Sequence, residues 1–267
     1  MLPDCHIHTS LCRHAEGTLS QYWDCADRLR LPGMCFTDHG PTSDGFDAAH
    51  RMSLSEYPSY QEQVVAIQRE HEGHGPRVFF GVEADFYEAG IPFLGQWLPQ
   101  QGFDLVLGSI HFLQTWGFDD PDERHVWDSV DVTGTWREYF ALLGRLADSR
   151  LFDVVGHLDL PKKFGYRPPD RELKDMALPV LDKIAAAGMA IELNTGGLRK
   201  PVKEIYPSQA LLAWACERKI PICFGSDAHR PEEVGYAFGD AVRWARGAGY
   251  DQSAHWQARR QMGVPLP

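Results

Sequence analysis

No stretch of this chain approaches the roughly 18 uninterrupted apolar residues of a membrane-spanning helix, so neither a transmembrane segment nor a membrane partner is expected. The first residues, MLPDCHIH, contain no basic segment and no apolar one behind it. No secretory signal is visible, and a cytoplasmic protein is expected. Cysteine is scarce: Cys5, Cys12, Cys25, Cys35, Cys216 and Cys223 form no CxxC pair and sit in apolar or mixed runs. That pattern speaks against a disulfide framework and for reduced thiols packed as small apolar side chains. Positive charge is in the minority, 26 Lys and Arg against 37 Asp and Glu, for a net charge of −11. A nucleic acid is a poor partner for such a surface. A small anion is not excluded, because bound divalent cations reverse the local field. Flexible linkers and low-complexity segments are missing too, so residues 1–267 are expected to form one domain.

What is present is an alternation. Seven short β-rich apolar runs recur: Leu2 to His8, Met34 to His39, Val78 to Asp85, Leu105 to Phe112, Phe152 to Leu158, Ala190 to Thr195 and Ile222 to Asp227. Helical patterns lie between them. Ser20 to Leu31 opens on a good N-cap residue and stops at Pro32-Gly33. Ser55 to Glu72 ends before Gly73, and Thr135 to Ser149 spaces Trp136, Tyr139, Phe140, Leu143 and Leu146 as a helix does. Asp170 to Ala187 ends at Gly188, a natural left-handed cap. Ser208 to Lys219 and Pro231 to Gly247 complete the set. Such alternation implies parallel strands with crossover helices, and seven units suggest a closed barrel more than an open sheet. Leu113 to Thr135 is polar, aromatic and irregular, and a loop that long inside a domain is often functional.

The residues suited to metals fall where those runs end. His6 and His8 end the first run and His14 follows in its loop. Asp38 and His39 end the second, Glu83 lies near the end of the third, and His111 and His157 fall at the ends of the fourth and fifth. Asp227 and His229 end the seventh. In a parallel barrel these ends share one face, the face that carries active sites. His6-Ile7-His8 places both imidazoles on one side of a strand. A mixed nitrogen and carboxylate set suits Zn²⁺, Fe²⁺ or Mn²⁺. Each residue alone has a plainer reading, as a hydrogen-bonded histidine, an ion-pair partner or a helix cap. The recurrence at successive strand ends favours convergence. Asp4 and Asp38 are read as acceptors for the outer nitrogens of ligand histidines. His50, His71, His74, His125 and His255 lie in polar segments and are read as surface residues, with His125 the foremost candidate for an exception.

Several segments carry a family resemblance. DCHIHTSLCRH at 4–14, FTDHG at 36–40 and SDAH at 226–229 resemble motifs of the polymerase-and-histidinol-phosphatase family. GVEADF, GSIHF, GHLDLPKKF, ELNTGGLRK and GSDAHRPEEVG resemble its histidinol-phosphatase branch. The resemblance implies an α/β fold, a distorted TIM-like (β/α)₇ barrel, and three divalent metal ions. By that resemblance His6, His8, Glu83 and Asp227 hold one ion, while Glu83 bridges to a second held also by His111 and His157. His14, His39 and His229 hold a third.

The implied activity is hydrolysis of L-histidinol phosphate to L-histidinol and phosphate by a metal-activated hydroxide. Glu83, Asp227 and His229 are the expected catalytic residues, with Asp227 the candidate to carry a proton to the leaving alkoxide. Arg199, Lys162, Lys163 and Asn194 are expected to bind substrate, and Trp116, Phe118 and Trp127 either to form a lid over an imidazole or to be ordinary packing. Alternative readings are a related phosphoesterase acting on nucleotides or 3′ nucleic-acid ends, and a non-catalytic metal-binding barrel. A homo-oligomer is compatible with the sequence, which does not specify the oligomeric state.

Overall fold

The structure is a computed structural model that describes residues 1–267. In chain order the strands are β1 (Asp4–Ile7), β2 (Gly33–Phe36), β3 (Arg77–Asp85), β4 (Leu105–Ser109), β5 (Phe112–Leu113), β6 (Trp116–Gly117), β7 (Val154–Val155), β8 (Ala190–Asn194), β9 (Ile222–Gly225), β10 (Gln252–Gln257) and β11 (Arg260–Pro265). The α-helices are α1 (Leu19–Arg28), α2 (Tyr57–Glu70), α3 (Ile91–Trp97), α4 (Val132–Ser149), α5 (Asp170–Ala187), α6 (Gln209–Glu217) and α7 (Phe238–Gly247). Seven strands pair in parallel in the order β1-β2-β3-β4-β7-β8-β9. A parallel bridge from Ile7 to Ala228, with the His8 amide donating to the Ala228 carbonyl at 2.9 Å, joins the two edges. The barrel is thereby nearly closed.

Local signals account for most elements. Thr18 caps α1 in a reciprocal box with Gln21. Gly188 ends α5 at φ 71°. The segment 231–247 differs from the continuous helix expected. A 3₁₀ turn at Pro231–Glu233 is separated from α7, which is entered through Ala237 at φ 54°. Helix α3 and the β10–β11 hairpin were not anticipated.

The barrel interior is graded. Along β3 the inward residues run Phe79, Gly81, Glu83, Asp85, while Val78, Phe80, Val82 and Ala84 face the helices. At the bottom, Cys5, Cys35, Phe79, Leu105, Val154, Ala190 and Cys223 form an apolar plug covered by Ala254 and Trp256 of the hairpin. All six cysteines are free. Toward the strand C-termini the interior becomes polar, with Glu83, Glu192, Asn194 and the histidines. No helix is long and apolar enough to cross a membrane.

Candidate metal centre

The seven histidines at the strand ends meet at the top of the barrel, around Glu83 and Asp227. They face a cavity of about 500 Å³ lined by His8, His14, His39, Glu83, His111, His157, Asp227 and His229, among others. His6 lies fully buried behind this surface. Its Nε2 is 3.0 Å from His8 Nε2 and 3.3 Å from Glu83 Oε2, and Asp227 Oδ1 is 3.2 Å from His8 Nε2. Glu83 Oε1 is 3.1 Å from His157 Nε2 and 3.7 Å from His111 Nε2. His14 and His229 approach Nε2 to Nε2 at 3.0 Å, and His39 joins them. Donor atoms fall into five overlapping compact groups, among them His6–His8–Glu83, Glu83–His111–His157 and His14–His39–His229, with Glu83 common to two of these three, and a further one of His39, Asp85 and His111. The Cys12 thiol also comes within reach of His8 and His229.

Tautomers test whether these groups suit a cation. His6 Nδ1 donates to Glu192 Oε1 at 2.7 Å and His8 Nδ1 to Asp38 Oδ1 at 3.3 Å. His14 Nδ1 donates to the Cys12 carbonyl at 2.8 Å, and His229 Nδ1 to the Asp227 carbonyl at 3.0 Å. His111 Nδ1 donates to Asp85 Oδ1 at 2.6 Å. A neutral imidazole that donates from Nδ1 presents a lone pair at Nε2. The His6–His8 and His14–His229 pairs, when neutral, thus set Nε2 lone pairs toward one another, where no hydrogen bond can form and a shared cation satisfies both. Outer acceptors of this kind hold metal-binding imidazoles in orientation. Glu83 Oε2 and His39 Nδ1, buried without hydrogen-bond partners, fit the same picture. The residues present therefore suit divalent metal ions.

Charge is divided across the cluster. Against burial, Glu192 and Glu83 raise His6, and Asp227 and Asp38 raise His8, well above the normal histidine range. Asp85 raises His111 to about 10, so these rings take up protons where no cation is bound. Burial alone would raise the Glu83 carboxyl, but the nearby imidazoles, His6 foremost, hold it well below the usual range. Asp227 is likewise held ionised, against burial, by His6 and His8. Burial pushes His39 and His229 well below the normal histidine range, toward the neutral form that binds metal. Asp227 sits at φ 55°, a left-handed conformation uncommon outside glycine and characteristic of functional sites.

Two matched chain segments decide the family. Residues 4–196 match the family model described as PHP domain, and residues 210–239 match the one described as PHP-associated. The chain belongs to the PHP family. A Deinococcus radiodurans protein named "Probable histidinol-phosphatase" is 45% identical over 248 residues, covering 93% of this chain and 94% of that one. A histidinol-phosphatase of Bacillus subtilis is 30% identical over 266 residues, covering 88% of this chain and 96% of that one. Among solved structures, the histidinol phosphate phosphatase of Lactococcus lactis, complexed with zinc, L-histidinol and phosphate, superposes with a TM-score of 0.84. The match covers 98% of both chains at 19% identity. At that identity the likeness shows a shared PHP barrel.

The remaining expected residues are placed unequally. Lys163 and Arg199 line the cavity, but both are engaged. Lys163 Nζ donates to Asp119 Oδ2 at 2.9 Å. Arg199 Nη2 donates to the Ser226 and Asp227 carbonyls at 2.9 Å, and its Nε lies 3.2 Å from Glu233. Lys162 is fully buried and does not line the cavity. Its ammonium bonds the Ile205 carbonyl at 2.8 Å and pairs with Asp159 at 3.0 Å. Asn194 is fully buried, caps the Gly196 amide and bonds Glu192 and Asp227. Asp4 meets no imidazole. Its oxygens accept the His6, Ser226 and Gly235 amides and clamp β1 to the segment after β9.

The aromatic segment differs from a lid. Phe118 and Trp127 are buried, packing with Tyr139 and Tyr166, and Trp127 Nε1 donates to the Phe118 carbonyl at 2.7 Å. They brace a loop whose cavity residues are Phe112, Asp119, Asp120 and Pro121. His125 is exposed and lies off the cavity, whereas His50 lines it beside His14.

Sequence reading missed Glu192, Asp85, Arg51 and Lys200. Two of these were accessible through the period of a strand. Asp85 stands two residues after Glu83, and Glu192 two before Asn194, so each shares a face with a site residue. Arg51 comes from a loop and ties Asp85 Oδ2 at 2.5 Å, and nothing in its local sequence signals this.

Proposed function

We propose that this PHP-family chain is a metal-dependent phosphomonoesterase that hydrolyses L-histidinol phosphate to L-histidinol and phosphate. The observation that carries the reading is a cavity in which the histidine–carboxylate cluster forms the floor while Lys163 and Arg199 stand on its wall. Its relatives named as histidinol-phosphatases supply the substrate. Three divalent ions would be held, the first by His6, His8, Glu83 and Asp227, and the second by Glu83, His111 and His157. The third would be held by His14, His39 and His229. Bound there, divalent ions would supply charge neutralisation and an acidified water.

The chain's own residues do the rest. Arg199 and Lys163 draw the phosphate dianion toward the floor. Asp120, on the loop braced by Phe118 and Trp127, gives the cavity lining a negative charge suited to the substrate ammonium, while Asp119 is paired with Lys163. The Asp227 carboxylate, held ionised by His6 and His8 and 15% exposed, takes the proton released by the attacking water and passes it to the leaving alkoxide. Glu83, with both oxygens among imidazoles, fixes the spacing of the donor groups. His229 closes the floor on the cavity side.

The test is phosphate release by the zinc- or manganese-loaded protein from L-histidinol phosphate, beside a nucleoside monophosphate and a short DNA carrying a 3′-phosphate. The expected result is a clear preference for histidinol phosphate. Preference for the nucleotide or DNA, or no release with metals bound, overturns the reading.

A further inference from the structure

Four basic side chains stand on the cavity wall: Lys163, Arg199, Lys200 and Arg230. Three of them already have carboxylate partners. Lys163 pairs with Asp119 at 2.9 Å, Arg199 with Glu233 at 3.2 Å, and Arg230 with Glu16 at 3.4 Å. Lys200 makes neither an ion pair nor a side-chain hydrogen bond, although it is half-buried. It lines the cavity together with Lys163, Arg199 and Asp227. Burial first, and then the neighbouring charge of Lys163, lower the Lys200 ammonium below its usual range, against a partial pull from Asp227. An uncompensated cation crowded by other cations is a group awaiting an anion.

The loop that carries Lys200 is held on several sides. The Asn194 and Tyr206 backbones bond each other at 2.7 and 3.0 Å. The Val202 amide donates to the Lys163 carbonyl at 3.0 Å, and the Lys200 amide to Gly197 at 3.1 Å. Gly197 packs so tightly that an added Cβ would run into the Glu204 carbonyl. The buried Lys162 ammonium pins the far end through Ile205. The backbone under Lys200 is therefore set before any ligand arrives, which lowers the ordering cost of binding.

We propose that Lys200 is the unpaired cation that meets the phosphate of the substrate, while Lys162 is a positioning residue that fixes the loop beneath it. Lys163 and Arg199, tied to Asp119 and Glu233, shape the field of the wall, and Lys200 supplies a free point charge to the dianion. This inference rests on the phosphomonoesterase reading.

The test binds inorganic phosphate to the zinc-loaded protein by calorimetry and follows KM and kcat for histidinol phosphate in parallel. Loss of one charged contact predicts that Lys200→Met binds phosphate roughly tenfold to a hundredfold more weakly, with zinc content unchanged. KM should rise by a similar factor, and Lys200→Arg should recover part of the loss. Lys200→Gln provides a second neutral variant should the methionine disturb folding. Phosphate affinity equal to wild type in either folded neutral variant overturns the inference and leaves the phosphatase reading intact. Wild-type protein that binds phosphate through Lys200 but spares histidinol phosphate overturns the substrate reading alone. Wild-type protein that binds no phosphate overturns both.

Discussion

Glu192 lies under the metal centre with one oxygen on His6 Nδ1 and the other on the His157 amide at 2.9 Å. Gly225 packs against it so closely that a Cβ there would run into Glu192 Oε1 and His6 Cβ. A carboxylate can accept from both neighbours, whereas an amide side chain has a single acceptor oxygen. Glu192→Gln is therefore expected to misorient His6 and weaken metal binding roughly tenfold to a hundredfold, the usual effect of losing such a support. Competition against a chromogenic chelator measures it, and unchanged affinity removes the role. The residues that touch the centre were legible because histidine is chemically distinctive and recurs at strand ends. Their supports were harder to see. Glu, Asp and Arg serve many purposes, and only the side chain opposite decides which.

At the scale of elements, the barrel strands and five of the helices announce themselves by period, capping and glycine stops. The terminal hairpin does not. Its two-residue turn, Ala258-Arg259, holds both residues at positive φ, 49° and 59°, where Asn-Gly would be the usual signal. The conformation is held from outside. The Ala258 amide donates to Asp104 Oδ1 at 2.8 Å, and the Arg259 guanidinium grips Asp153 at 3.0 Å. Through Trp256, only 4% exposed, the hairpin seals the apolar bottom of the barrel. Trp256→Ala should cost about 3–5 kcal/mol in urea unfolding while metal affinity holds, because the floor of the centre lies at the other end of the strands. A loss of metal affinity equal to the loss of stability would show that the two ends are not separable. The irregular segment expected over Leu113 to Thr135 ends earlier, where α4 begins at Val132, and its sequence leaves the aromatics open between covering the cavity and packing. An indole packed into a core and one covering a cavity read the same in sequence.

For the whole molecule, the barrel gathers buried carboxylates and imidazoles from successive strands into one low-dielectric floor. Without cations that floor must take up protons or lose order, since buried charge is tolerated only when compensated. Stripping metal with a chelator is expected to lower Tm by on the order of 10 °C, the scale of a few kcal/mol of binding linkage in a chain of this size. Zinc should restore it. An unchanged Tm in protein shown to be metal-free would mean that the fold carries its own compensation. The same gathering explains the acidic balance. A chain with net charge −11 can still receive an anion there, because divalent ions on the floor would reverse a field set by Asp47, Glu83, Asp119, Asp120, Asp227 and Glu233 against Lys163, Arg199, Lys200 and Arg230.

Local pattern in the chain pointed to seven parallel strands with crossover helices, favoured a barrel over an open sheet, and put histidines and carboxylates at the strand ends. These follow from local rules: side-chain periodicity, capping, and the single face shared by parallel strand ends. Tertiary structure alone decided which charges remain free. Lys162, Lys163 and Lys200 are the same residue type, two adjacent in the chain and the third beyond α5 and β8, and each contributes according to its partner. One is buried against a carbonyl and Asp159, one is paired with Asp119, and one is left open to the cavity. Partner choice depends on distances across the barrel, which no local pattern encodes.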